Sequence, residues 1–149
     1  MSAKSDNFEY SLLRLVMNGV AITNIAATAG TTSLWAALHT ASPGDAGSTA
    51  AEGGYTEYTR VAVDRSSAAG GWSVTSGTSA AKASASPVSA VSFPAQVTTS
   101  TGTFTHASVY TSSNISSTGM LYYGTLTPNI NFGAGVTPQI TTGSSITED

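Results

Sequence analysis

Imidazole is the side chain best suited to acid–base work near neutral pH, and this chain has two, His39 and His106. Either could serve as a base beside a hydroxyl, as a small hydrolase would require. Both, however, fall in runs that read as strands. His39 closes the apolar run SLWAALH at 33–39, and His106 shares a side with Phe104 in the run 102–112. Each is expected to be a core or interface ring with its nitrogens satisfied. Ser and Thr are so frequent that a Ser-His-Asp set can be drawn almost anywhere, so its presence carries no information. Neither G-x-S-x-G nor H-E-x-x-H occurs. No catalytic residue is assigned and no enzymatic activity is expected.

Metal and phosphate chemistry have as little support. Asp45, Glu52, Glu57 and Asp64 are spread out, without the density of an EF-hand loop. There is no cysteine, so neither a disulfide nor a Cys-based zinc site can form. Gly133-Ala-Gly135 lacks the strand-to-helix setting of a nucleotide cradle and reads as a β-turn. No cofactor is expected. The five basic residues (Lys4, Arg14, Arg60, Arg65 and Lys82) are scattered, and the net charge is −3, which argues against binding nucleic acid. No run approaches the ~18 apolar residues of a membrane span. The first ten residues carry acids and no long apolar stretch, unlike a secretory signal, so synthesis in a cytoplasm is expected.

Recognition chemistry is better supplied. Tyr55 and Tyr58 flank a loop and precede Arg60, and Tyr122 and Tyr123 must point to opposite faces of one strand. Tyr and Arg bring large contact area with a polar handle, and Tyr and Trp also stack on sugars. Sheet packing, a protein contact and a sugar site are all open for them. A second candidate surface is an apolar stripe at helical spacing, Phe8, Leu12, Leu15 and Val16. The residues assigned to a protein interface are therefore Phe8, Leu12, Leu15, Val16, Tyr55, Tyr58, Arg60, Tyr122 and Tyr123.

These groups need elements to hold them. Asp6, with Glu9 three residues on, resembles a capping box, and Asn18-Gly19 is a stop signal, so the spacing predicts a helix over 7–18. Its apolar face docks either in the chain's own core or on a neighbouring subunit. Residues 1–32 form this N-terminal helix and arm, and 33–149 form one domain. Within that domain, strands are expected at 33–40, 55–65, 72–75, 90–93, 102–112 and 119–126, the last ending at Pro128. In 55–65, Thr59, Val61 and Val63 take one face and Tyr58, Arg60 and Asp64 the other. A final strand or pair covers 139–140 and 145–147. Residues 41–54 form a long loop, and 76–86 are weakly specified. Seven or eight short strands separated by turn signals predict an all-β fold, a jelly-roll-like antiparallel β-sandwich with a short N-terminal helix or arm.

Composition points to the setting of that fold. Only 9% of the residues are charged, against about 25% in soluble domains. Such a surface keeps a free monomer soluble only weakly. It suits a protein much of whose outside lies against other chains.

The segments LWAALHTASPGDAG (34–47), YTEYTRVAV (55–63) with Arg65, Gly71-Trp72, VSFP (91–94), GMLYYGTL (119–126) and GVTPQI (135–140) with the ending ITED resemble a family of small tailed-phage virion proteins. The His-Thr-x-x-Pro-Gly block is its most specific part, and the resemblance spans 33–149. Members are often labelled tail fibre proteins, and some resemble the jelly-roll cement or decoration proteins of phage heads. The resemblance implies a structural protein made in the host cytoplasm and carried on the outer capsid surface. There it would bridge and stabilise subunits of the major capsid protein and pair with itself as a dimer or trimer. Many modest contacts on a rigid lattice add up by mass action. The alternative is a tail or tail-fibre-associated protein contacting host surface glycans. No catalytic residue comes with either.

Overall fold

Most of the alternating or apolar runs between turn-forming stretches become strand among the described residues. The computed structural model describes residues 2–5, 8, 21–23, 25, 32–75 and 83–148. Ten strands occur there: β1 (Ser2–Lys4), β2 (Ser33–His39), β3 (Val61–Asp64), β4 (Trp72–Thr75), β5 (Ala83–Pro87), β6 (Val91–Ser92), β7 (Gly102–Tyr110), β8 (Met120–Phe132), β9 (Gln139–Ile140) and β10 (Ile146–Glu148). All pairings are antiparallel. The large sheet runs β1-β8-β7-β2-β3, a three-stranded sheet runs β10-β5-β4, and β6 pairs with β9. The fold class is the expected one, all-β and consistent with a sandwich.

Register assigns the faces of the large sheet. Val61, Ala36, Val109 and Tyr122 lie in one row across β3, β2, β7 and β8. Side chains alternate along a strand, so this row and its neighbours face the two smaller sheets. The core between the sheets holds Ala36, Leu38 and Val63 from the large sheet with Val91 and Phe93 from the other side. Five rings fill its centre. Phe104 and Phe132 stand 4.6 Å apart, and Tyr58 stacks on Phe93 at 5.9 Å with 9° between planes. Tyr55 meets Tyr58 edge-on at 5.9 Å. On the opposite face Ala37, Tyr110 and Met120 make a second cluster, with Trp35 and Tyr123 packed against it.

Two sequence expectations need correction. The stretch 55–60 is not strand; β3 starts only at Val61. A turn closed by the Tyr58 N–H on the Tyr55 carbonyl swings both rings into the core. Burying two large aromatic surfaces outweighs the few ladder bonds an edge strand would gain. Second, β8 does not end at Pro128 but runs through it to Phe132. Phe104 pairs with Ile130 and His106 with Thr125, so residues 126–129 bulge out opposite Thr105 alone. A proline is tolerated there because no ladder bond needs its missing N–H. Ser2–Lys4, within the expected arm, is a strand that pairs with β8 at the sheet edge. The Ser5 side chain then donates to the Met120 carbonyl. Of the helix expected over 7–18, only Phe8 is described; Leu12, Leu15 and Val16 lie outside the described residues, as do 76–82.

The long loop 41–54 is folded. Thr40 N–H donates to the Ala51 carbonyl at 2.9 Å and Gly53 N–H to the Leu38 carbonyl at 3.0 Å, which closes its base. Gly47 takes φ 69°, and a Cβ there would stand 2.9 Å from the Ser117 carbonyl oxygen.

Glycines under the aromatic core set a test of this packing. A Cβ on Gly102 would overlap the Phe132 ring, whereas one on Gly133 would meet only the Thr101 methyl, at an ordinary 3.6 Å. Gly102→Ala is expected to lower stability by roughly 1–3 kcal/mol through overpacking. Gly133→Ala should change it by under about 0.5 kcal/mol. Paired thermal or urea melts of the two variants check this, and equal melting behaviour would contradict the packing described.

Candidate functional site

Two features stand out from the sheets: a buried polar node at one end and an open groove between the layers. The node begins with Glu52, held beside β2 by a bridge to His39. Its carboxylate takes Arg60 in a bidentate grip, Nε to Oε1 at 2.7 Å and Nη2 to Oε2 at 2.7 Å. Both side chains are fully buried. The other guanidinium hydrogens donate to the carbonyls of Ser112 and Ser116, each at 3.0 Å. Arg60 Cζ sits 3.4 Å from the centroid of the Tyr110 ring, a cation–π contact. The node therefore ties the long loop to the 111–119 loop across the end of the sheet.

Next to it stand the two histidines, directly opposite one another on β2 and β7. His39 is wholly buried. Its Nε2 lies 2.6 Å from Ser108 Oγ, and its Nδ1 has no partner. Burial pushes its pKa down to about 4; Glu52 opposes this, while Arg60 and His106 add to it. Tyr58 is pushed well up by burial, although the Leu38 N–H donating to its hydroxyl works the other way. Tyr110 is raised by burial too, against the pull of Arg60. Ser108 and His39 thus have the contact of a nucleophile and its base, but both are shut inside the sheet packing. The Glu52 carboxylate is occupied by Arg60 rather than by His39 Nδ1. This arrangement stiffens the fold. His106 is half-buried, with Nδ1 2.8 Å from Thr105 Oγ1.

The groove runs between the inner face of the large sheet and the β10-β5-β4 layer. Its volume is about 650 Å³. Ala36, Ala107 and Gly124 form a floor of small residues on three adjacent strands, and Trp72 and Tyr122 supply rings. Among the described residues that line it, none is charged. Phe8 packs edge-on against Tyr122, with centroids 5.5 Å apart. The Trp72 indole Nε1 is sealed from water without an acceptor.

The structure separates the residues that the sequence grouped. Tyr55, Tyr58 and Arg60 are 9%, 7% and 5% exposed, each inside the chain's own packing. Tyr55 hydroxyl donates to the Pro94 carbonyl at 2.8 Å. Tyr122 and Tyr123 do face opposite ways, opposite Val109 and Ser108 respectively. Tyr122 and Phe8 meet at the groove, while Tyr123 donates to Asp45 on the far face. The role of Glu52 was not visible in sequence. Eight residues and a turn separate it from Arg60, and no periodicity marks such a pair. Trp72 carried a signal as the start of the 72–75 strand, in the Gly71-Trp72 pair, and as one of the aromatics that could stack on a sugar.

A family model described as Podophage GP4 fiber I protein gp80 matches residues 3–147. No curated protein matches the chain.

Two measurements test the node. Glu52→Gln or Arg60→Met alone leaves a buried charge without its partner and is expected to cost about 3–5 kcal/mol. The double variant should recover part of that loss in a denaturant double-mutant cycle; strict additivity would contradict the pair. His39 sets a pH dependence. The folded state holds the ring neutral down to about pH 4, while the unfolded chain takes up its proton below about 6.5. The unfolded state is therefore favoured as pH falls through that window, by up to roughly 3 kcal/mol. The difference in stability between wild type and His39→Gln should shrink accordingly from pH 7 to pH 4. A constant difference would contradict the buried neutral ring.

Proposed function

This chain belongs to the podophage GP4 fiber I protein gp80 family, a group of tailed-phage virion proteins, and from that premise we propose that it is a structural subunit of a tail or tail-fibre assembly that contacts host surface glycans. The observation that carries this reading is the extent of the match, residues 3–147, which takes in the β-sandwich domain and most of the N-terminal arm. The charge-poor surface supports it, because fibre subunits present much of their outside to other chains rather than to water. The fold supports it as well. Its loops are locked by buried polar contacts, and a groove of about 650 Å³ opens between its sheets. The head-coating reading, with a major capsid protein as partner, fits the same composition. It loses ground because the matching family is described as a fiber protein.

Antibody raised against this chain and applied to intact virions in negative-stain microscopy tests the assignment. Label is expected on tail appendages, with a few to a few dozen copies per particle by quantitative protein analysis. Uniform label over the head, with hundreds of copies, would overturn it.

A further inference from the structure

We propose that the groove between the large sheet and the β10-β5-β4 layer binds an uncharged saccharide; this deepens the glycan-contact reading and rests on it. Size is the first argument. At about 650 Å³ and open along one side, the groove suits a short oligosaccharide segment. Lining chemistry is the second. Trp72 offers a ring for the C–H face of a sugar, and Asn129, Gln139, Thr141 and Ser145 offer neutral donors and acceptors. None of the described residues of the wall is charged, so against them an anionic sugar would lose water and gain no counter-charge. An uncharged one is not penalised in that way.

The third argument is an unmet valence. Trp72 Nε1–H has no acceptor and no access to water, a condition that costs about 1–3 kcal/mol. A sugar hydroxyl entering the groove supplies an acceptor after a small rotation of the ring. The fourth is the floor. Ala107 pairs with Gly124, and Ala36 lies on the next strand. Larger side chains at these positions would close the space and gain apolar burial. Gly124 is not one of the glycines with positive φ, so its backbone would accept a side chain. The floor is built on the central strands β2, β7 and β8, so the groove is preformed and little ordering opposes binding.

The test uses the full chain and isothermal titration calorimetry against neutral malto-, cello-, chito- and galacto-oligosaccharides, with polygalacturonate as the anionic control. At least one neutral series should bind saturably and polygalacturonate should not. Trp72→Phe, which keeps the ring and removes the N–H, should weaken binding about 10-fold, and Gly124→Val, which fills the floor, should abolish it. Val97→Ser, at a site 75% exposed and outside the groove, should leave it unchanged. Unaltered circular dichroism and melting temperature show that the variants fold. No binding by any neutral series overturns the proposal, as does stronger binding of the anionic control. So does sedimentation showing that Gly124→Val separates an otherwise associated chain, since a second copy then fills the groove. Saccharide binding that survives Gly124→Val overturns the groove assignment while leaving the glycan-contact reading in place. Head-only antibody label removes the fibre reading whatever the calorimetry shows.

Discussion

The ion pair between Glu52 and Arg60 is the contact on which the loop end of this molecule hangs. Both charges are out of water, so each survives only because the other is within 2.7 Å and the spare guanidinium hydrogens reach the Ser112 and Ser116 carbonyls. The Tyr110 ring beneath Arg60 completes its surroundings. One cation thereby joins three pieces of chain that are distant in sequence: the long loop, the entry to β3 and the loop before β8. A carboxylate and a guanidinium are directional in a way that aliphatic packing is not. They select one arrangement of loops that are otherwise rich in Ser, Gly and Thr and have few apolar anchors.

That economy of charge bears on function. With 9% charged residues overall, this protein still commits one ion pair to its interior. Among the described residues the exterior carries mostly hydroxyls, methyls and backbone, with scattered charges such as Asp45, Asp64 and Arg65. Such a surface has a small desolvation cost when covered, which favours incorporation into an assembly. The same scarcity of charge continues into the groove between the sheets, where none of the described lining residues is charged.

Elements with strong local signals were legible before any tertiary information. The β2 run and the alternation in β7 needed only hydrophobic pattern and flanking turn residues, and the Gly70-Gly71 turn before β4 was equally plain. The aromatics of 55–60 were harder to read. Alternation there imitates an edge strand, yet the gain from burying two tyrosine rings bends the segment into a turn. Pro128 misleads for a related reason. A proline ends a strand only where a ladder bond is required, and whether one is required depends on the partner strand's register. Ser2–Lys4 has too short a run to announce itself; it is strand because the edge of β8 is there to receive it.

Local pattern and composition by themselves determined the all-β antiparallel class, most strand positions and the absence of cysteine chemistry. Those properties follow from side-chain alternation, turn residues and residue counts, each of which acts over a few neighbours or none. Tertiary structure alone decided which tyrosines are core and which line the groove, that Arg60 answers Glu52, that His39 is sealed against Ser108, and that a neutral groove opens beside Trp72 and Tyr122. These are matters of register and of close approach between segments far apart in the chain. A one-residue change in pairing reverses a strand's faces, so no reading of neighbours along the sequence could have settled them.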